Sequence, residues 1–487
     1  MNFLKGGIIM EFLKKHIHAI IMVLVAYVIS VLPPVGVITP YGMKVLGVFV
    51  SLIYGWCFYD LMWASICGFV LLGFLGINTV TGALSSSLGN SQITTMICGM
   101  LIAGALTQLD MTKFVSAWLL KRKIIQKSPW MLVSGLIFIA YVVGLLGVTT
   151  GGVFILWAVT LAIADACNVD RKNPILTFLA FMIVIGLYTG NSAMPFRVGA
   201  LMFGGFLTKA TGLTVGYIAY TVVYMSTTIV ALIVMILVAK YILRMDASQF
   251  VATDEIMAQF TKDSKATPRQ TCGLLFLLIF TVVLFLPEFF PTAPGMAFIK
   301  TLGLPGVVLV MMMVMHMITF DGKPAISLNR VFQDGIQWMV IIVVSVVFPV
   351  VDAMKSADSG ILTQIIGMLT PLTDGLGIIP FMLVTMVLVG VISQFTHNIA
   401  VGAVVIPLFT AMVLPEHGAT MTLIYYFLMY ISLNAAYATP ASSVGGAVAF
   451  SSELTTRKSY GYIIGAVYFI VMVVLGTIFT FAFQGLF

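Results

Sequence analysis

Charge is scarce in this chain. Only 8% of its 487 residues are Asp, Glu, Lys or Arg, against roughly a quarter in soluble proteins. The 24 basic and 17 acidic side chains cannot cover the surface of a soluble fold this long, so most of that surface must face lipid. Cysteine is scarce as well: Cys57, Cys67, Cys98, Cys167 and Cys272 show neither CxxC nor metal-ligand spacing, which favours inert packing over disulfides or zinc. No phosphate-binding loop, HExxH or GxSxG occurs, so neither ATP hydrolysis nor protease chemistry has a basis. The chain reads as no enzyme, and any transport it performs must run on gradients.

What is present is apolar. The 61% hydrophobic residues gather in runs of helix-spanning length, not in the ten-residue alternation of barrel strands, and only these two designs satisfy a backbone in lipid. The expected fold class is all-α, polytopic and membrane-spanning. Apolar segments run over 17–34, 42–56, 58–75, 91–109, 129–147, 153–166, 173–188 and 215–243, then over 271–287, 302–319, 335–353, 377–393, 401–414, 420–437 and 460–485. Between them, 244–270 is a mixed-charge linker expected as a loop or short surface helix. The first segment follows Lys14 and Lys15 and lacks a small-residue cleavage site, so it reads as a retained helix.

The net charge of +7 is a topology signal rather than a nucleic-acid one. With a cytoplasmic N-terminus, Lys113, Lys121, Arg122, Lys123, Lys127, Arg244, Lys262, Lys265, Arg269, Lys323, Arg330, Arg457 and Lys458 fall inside. That holds if 129–147 and 153–166 enter from and return to the cytoplasm as a re-entrant hairpin. Its turn, Gly147-Val148-Thr149-Thr150-Gly151-Gly152, is tolerable at membrane depth where it lines a cavity.

The chain also matches itself at an offset of 245 to 247 residues. Gln92–Leu109 with Lys113–Leu120 matches Gln337–Val351 with Ser356–Leu369. The turn at Thr149 and Thr150 matches Ser393-Gln394-Phe395-Thr396-His397-Asn398, and Asn191-Ser192-Ala193-Met194-Pro195 matches Ala438-Thr439-Pro440-Ala441-Ser442. An odd number of crossings separates the copies, so the repeats are expected to be inverted, with broken helices meeting cargo near the bilayer midplane. The parts are then 1–128 (scaffold helices and cytoplasmic amphipathic arm), 129–243 (inward hairpin and broken helix), 244–270 (linker), 271–376 (second scaffold and outer arm) and 377–487 (outward hairpin and broken helix).

This order, with Ser393–Asn398, Val405-Ile406-Pro407 and Ala438–Ser442, resembles the divalent anion/sodium symporter family of the ion transporter superfamily. The resemblance implies a homodimer whose transport domain moves elevator-fashion against a scaffold, carrying dicarboxylates, citrate or sulfate. It places substrate contacts at Thr149, Thr150, Asn191, Ser192, Arg197, Thr396, His397, Asn398, Thr439, Pro440 and Ser442, and a cation site at Thr149, Gly151, Asn191, Thr396, Asn398 and Ala438. Neither hairpin carries that family's Ser-Asn-Thr signature, which puts sodium coupling in question; Na+ or H+ remains the coupling ion, with no other cofactor.

Arg197 sits in an apolar stretch, where a planar guanidinium suits an anionic cargo unless Asp165 pairs with it. His397, at a hairpin tip, offers a donor or a titrating group. His316, in a Met-rich run, reads as a packed or lipid-facing side chain, and Asp352, Asp358 and Asp374 as solvating the outer arm. The expected function is secondary transport or exchange of small anionic metabolites, C4-dicarboxylates first, in the inner membrane. The alternatives are another anion or an amino acid derivative, or a passive anion channel.

Overall fold

The computed structural model describes residues 2–147, 150–251, 258, 261 and 264–487. Its regular elements are helices, apart from a two-stranded turn that pairs Thr319–Phe320 with Lys323–Pro324. The first half lays down α1 (Asn2–Val31, bent at His16), α2 (Pro40–Phe58), α3 (Leu61–Phe74), α4 (Val80–Leu88), α5 (Ser91–Gln108), α6 (Met111–Leu120) and α7 (Lys123–Gln126). A hairpin follows, α8 (Pro129–Leu145) and α9 (Thr150–Ala166), then α10 (Pro174–Ser192), α11 (Val198–Thr211) and α12 (Tyr217–Leu237), which continues through a π-helical stretch, Val238–Ile242.

The second half has α13 (Pro268–Phe289), α14 (Met296–Met317), α15 (Leu328–Gly335), α16 (Trp338–Lys355) and α17 (Ile361–Leu376). It closes with a second hairpin, α18 (Ile378–Phe395) and α19 (Asn398–Asn434), followed by α20 (Val444–Ser451) and α21 (Lys458–Ala482). Among the described residues, nine helices are long and apolar enough to cross a membrane. The two arms of the first hairpin are not among them, at 17 residues each, where a crossing needs about 20.

Local chemistry sets the starts. α2, α8, α10 and α13 each open on a proline preceded by a capping side chain, Thr39, Ser128, Asn173 and Thr267, which accepts a first-turn N–H. Proline at that position has no N–H to leave unsatisfied. Helix pairing recurs between the halves. α2 packs on α3 as α13 does on α14; α5 meets α14 and α15 as α16 meets α3 and α4; and α12 packs on α21.

Some segments differ from the sequence reading. The apolar run at 58–75 yields only the 14-residue α3, because Asp60 caps its start and a turn at Gly76 (φ 68°) ends it. The runs at 401–414 and 420–437 join in α19 across a bend at Gly418, whose φ of 76° interrupts the helix. Most of the linker from 252 on lies outside the described residues, as does the side chain of Asp374. Asp352 does more than solvate the outer arm: its carboxylate pairs with Lys209 at 2.6 Å. Beside it Lys355 Nζ donates to the Ala210 carbonyl at 2.8 Å, so two contacts bind the end of α16 to the C-terminal end of α11.

Backbone approaches backbone closely between α8 and α10. A Cβ on Gly144 would overlap the Leu187 carbonyl, and one on Gly190 the Tyr141 carbonyl. This is how small residues bring helices together in lipid, where dispersion replaces the hydrophobic effect. We expect Gly190→Val to cost about 1–3 kcal/mol, the usual range for overpacking, and to lower the thermal midpoint of the detergent-solubilised protein. An unchanged midpoint would show that α8 and α10 are not in contact there.

Candidate functional site

Two helices stop inside the fold and restart. α10 ends at Ser192 and α11 begins at Val198, while α19 ends at Asn434 and α20 begins at Val444. Backbone freed at such depth needs partners from within the protein. The second break finds them in the second hairpin. Gln394 Oε1 accepts the Ala438 N–H at 3.0 Å, while its Nε2 donates to the Gly390 carbonyl at 3.0 Å and the Ala435 carbonyl at 3.4 Å. Thr439 donates its hydroxyl to the Gln394 carbonyl. Asn398 donates its N–H to the Ser442 carbonyl at 2.9 Å and its amide to the Leu433 carbonyl at 3.2 Å. The Ser442 and Ser443 hydroxyls both donate to the Ala436 carbonyl, at 2.9 and 2.6 Å.

The first break is held differently. Tyr220 donates its hydroxyl to the Ser192 carbonyl at 2.6 Å, and the Tyr220 and Tyr430 hydroxyls also meet. Arg197, only 1% exposed, reaches back to the first hairpin, donating from Nη2 to the Leu145 carbonyl at 2.8 Å. Its Nε and Nη1 have no hydrogen-bond partner among the described residues. Asp165 is not its partner; that carboxylate pairs with Arg171.

Between the breaks lies a cavity of about 270 Å³. The first turns of four helices line it: Val198 and Gly199 of α11, Gln337 and Met339 at α16, His397 to Ile399 at α19, and Ser443 to Gly445 at α20. Asn191 and Ser192 from the end of α10, and Asn434 from the end of α19, complete the polar wall, with Tyr188 and Tyr437 beside them. No Asp, Glu, Lys or Arg is among the described lining residues. A helix N-terminus carries roughly half a positive charge, so four of them make a potential suited to an anion. His397 Nδ1 accepts the Ile399 N–H at 3.3 Å, which puts the proton of a neutral ring on Nε2 and leaves that N–H as a donor.

The cavity therefore gathers Asn191, Ser192, His397 and Asn398 of the expected site. It does not gather Thr396, whose hydroxyl turns back to the Ile392 carbonyl, nor Thr439, Pro440 and Ser442, which shape the second break. Arg197 also lies off the lining, because the carbonyl end of α8 attracts its guanidinium. Thr149 lies outside the described residues, as does the side chain of Thr150. For the cation site, Gly151 lies at an exposed position in the first turn of α9, and Ala438 gives its N–H to Gln394. Asn434, Gln337 and Ser443 went unrecognised as lining residues. The second break spans 435–443 against 193–197 in the first, and this extra length shifts Asn434 out of register with Asn191 at a constant offset. An Asn within the last two residues of each interrupted helix is the signal the sequence carries.

Many apolar spans, and two interrupted helices around a cavity whose described lining carries no charged side chain, define a polytopic membrane transporter. A family model described as citrate transporter matches residues 7–431; the chain belongs to this family, whose members are transporters and not enzymes. Within the ion transporter superfamily that family is related to the divalent anion/sodium symporters. Among solved structures the chain is similar to the YdaH transporter of Alcanivorax borkumensis, with 15% identity over 85% of this chain and 89% of that one and a TM-score of 0.56. No curated protein matches the sequence.

Gln394 is the residue on which the second break depends most. Gln394→Leu keeps the volume but strands the Ala438 N–H and the Ala435 carbonyl, at a cost of about 1–3 kcal/mol each. A lowered thermal midpoint is the expected result; a midpoint equal to that of the parent protein would show that Gln394 does not staple the break.

Proposed function

We propose that the protein is a secondary carrier of small polycarboxylate anions in the plasma membrane, and that the cavity between the two broken helices is where the cargo sits. The observation that carries this reading is the convergence of four helix N-termini on a cavity without a carboxylate side chain. Carboxylates are bound well by such N–H groups and by amide and hydroxyl donors, and Asn191, Ser192, Asn434 and the His397 ring supply the latter. Citrate is the first cargo to try on family grounds and C4-dicarboxylates the second.

The recurring helix order supports an inverted repeat in this reading, with the N-terminus cytoplasmic. It also supports an elevator movement in which the parts 129–243 and 377–487 travel together against the scaffold parts 1–128 and 271–376. A homodimer is carried over from the resemblance. Coupling is to a cation, Na+ or H+, or is replaced by exchange against an internal anion. A net carried charge contributes about 2.3 kcal/mol per 100 mV, so a cation excess over cargo charge suffices to drive uptake.

Labelled citrate, malate and succinate should enter proteoliposomes containing the purified protein, and choline in place of external sodium, or an uncoupler added to collapse a proton gradient, separates the coupling modes. Saturable uptake that His397→Phe weakens by tenfold or more is expected. No uptake of any of the three anions under any gradient, with folded protein in the membrane, would sink the reading.

A further inference from the structure

Arg197 is a buried cation without an anion among the described residues. It is 1% exposed, and no acidic side chain pairs with it among the described residues. Among the described residues its hydrogen bond goes to the Leu145 carbonyl at 2.8 Å, and Nε and Nη1 find no partner there. Leu145 is the last residue of α8, so the guanidinium sits at the negative end of that helix, which offsets part of the charge. The Phe196 ring lies 5.3 Å from its Cζ, a cation–π contact that adds a little to this compensation. Gly147, in the left-handed region at φ 85°, leaves the space the guanidinium fills, since a Cβ there would overlap Nη1.

A cation this poorly compensated is costly, and an uncharged side chain would pack there more cheaply. The chain position explains its use. Arg197 is the residue immediately before α11, and the next two, Val198 and Gly199, line the cavity. In a medium of low dielectric constant its field is weakly screened and adds to that of the helix N-termini. We propose that Arg197 is a positioning and specificity residue. It pins the end of α8 to the first break, and it supplies the fixed positive potential by which the cavity prefers more highly charged carboxylates, without touching them. This rests on the carrier reading above.

Binding of a tricarboxylate (citrate), a dicarboxylate (succinate) and a monocarboxylate (lactate) to the purified protein tests it by calorimetry. Arg197→Gln can keep a donor for the Leu145 carbonyl while losing the charge, and Arg197→Lys keeps the charge. We expect Arg197→Gln to weaken citrate by about tenfold or more, succinate by less and lactate least, and Arg197→Lys to restore citrate to within about threefold. Equal weakening of all three anions, or citrate affinity within twofold of the parent in folded Arg197→Gln, would overturn the electrostatic role. If Arg197→Gln does not fold, Arg197→Met replaces it, and failure of both to fold would assign Arg197 to stability alone and overturn the proposal. A parent protein that binds none of the anions would instead overturn the carrier reading, a distinguishable result.

Discussion

Interrupting a helix away from water frees N–H and C=O groups that have no solvent to turn to, and each left bare costs on the order of a kilocalorie or more. The fold is arranged around meeting that demand twice. At the second break the partners are neutral: the Gln394 amide, the Asn398 amide and N–H, and the hydroxyls of Thr439, Ser442 and Ser443. They join the tip of the α18–α19 hairpin to the break, so that neither can move far without the other. The close contact of Gly465 in α21 with the Tyr437 carbonyl brings a third helix onto the same point.

At the first break the partners are a phenol and a guanidinium. The Tyr220 hydroxyl takes the end of α10, and Arg197 ties the start of α11 to the end of α8. The two halves thus solve one problem with different chemistry, and the difference has electrostatic consequences. A neutral amide network leaves no net field. A guanidinium held by a carbonyl leaves most of a positive charge beside the cavity wall. The asymmetry also places the His397 ring and the two asparagines Asn191 and Asn434 where they face the same space from different helices.

Much of this was legible from composition and spacing. Scarce charge forced a helical membrane fold. Most of the fifteen apolar segments lie on single helices close to the expected bounds, since hydropathy reports burial in lipid directly. The exceptions were local. Asp60 and Gly76 shortened α3, and Gly418 bent one long helix where two had been expected. The site was legible as a pair of motifs but not as a division of labour. Thr439, Ser442 and Ser443 all donate their hydroxyls to backbone carbonyls, yet Ser443 alone of the three lines the cavity, because which residue faces it depends on the path of the break and not on residue type. Asn434 was hidden by the unequal lengths of the two breaks, which no fixed offset can accommodate.

Arg197 shows why residue type and role come apart. An arginine among apolar residues is correctly read as unusual, and the direct inference is a contact with the anion. Yet a guanidinium lining the cavity would bind a carboxylate bidentately and strongly, and a carrier must release its cargo on each cycle. A field from behind the wall, acting with helix N-termini that are fixed backbone dipoles, attracts an anion without a specific bond that has to be broken. The cavity of this chain, uncharged on its described surface, with a few amide, hydroxyl and imidazole groups among apolar side chains and with four N-termini around it, has the form that such weak and reversible binding requires.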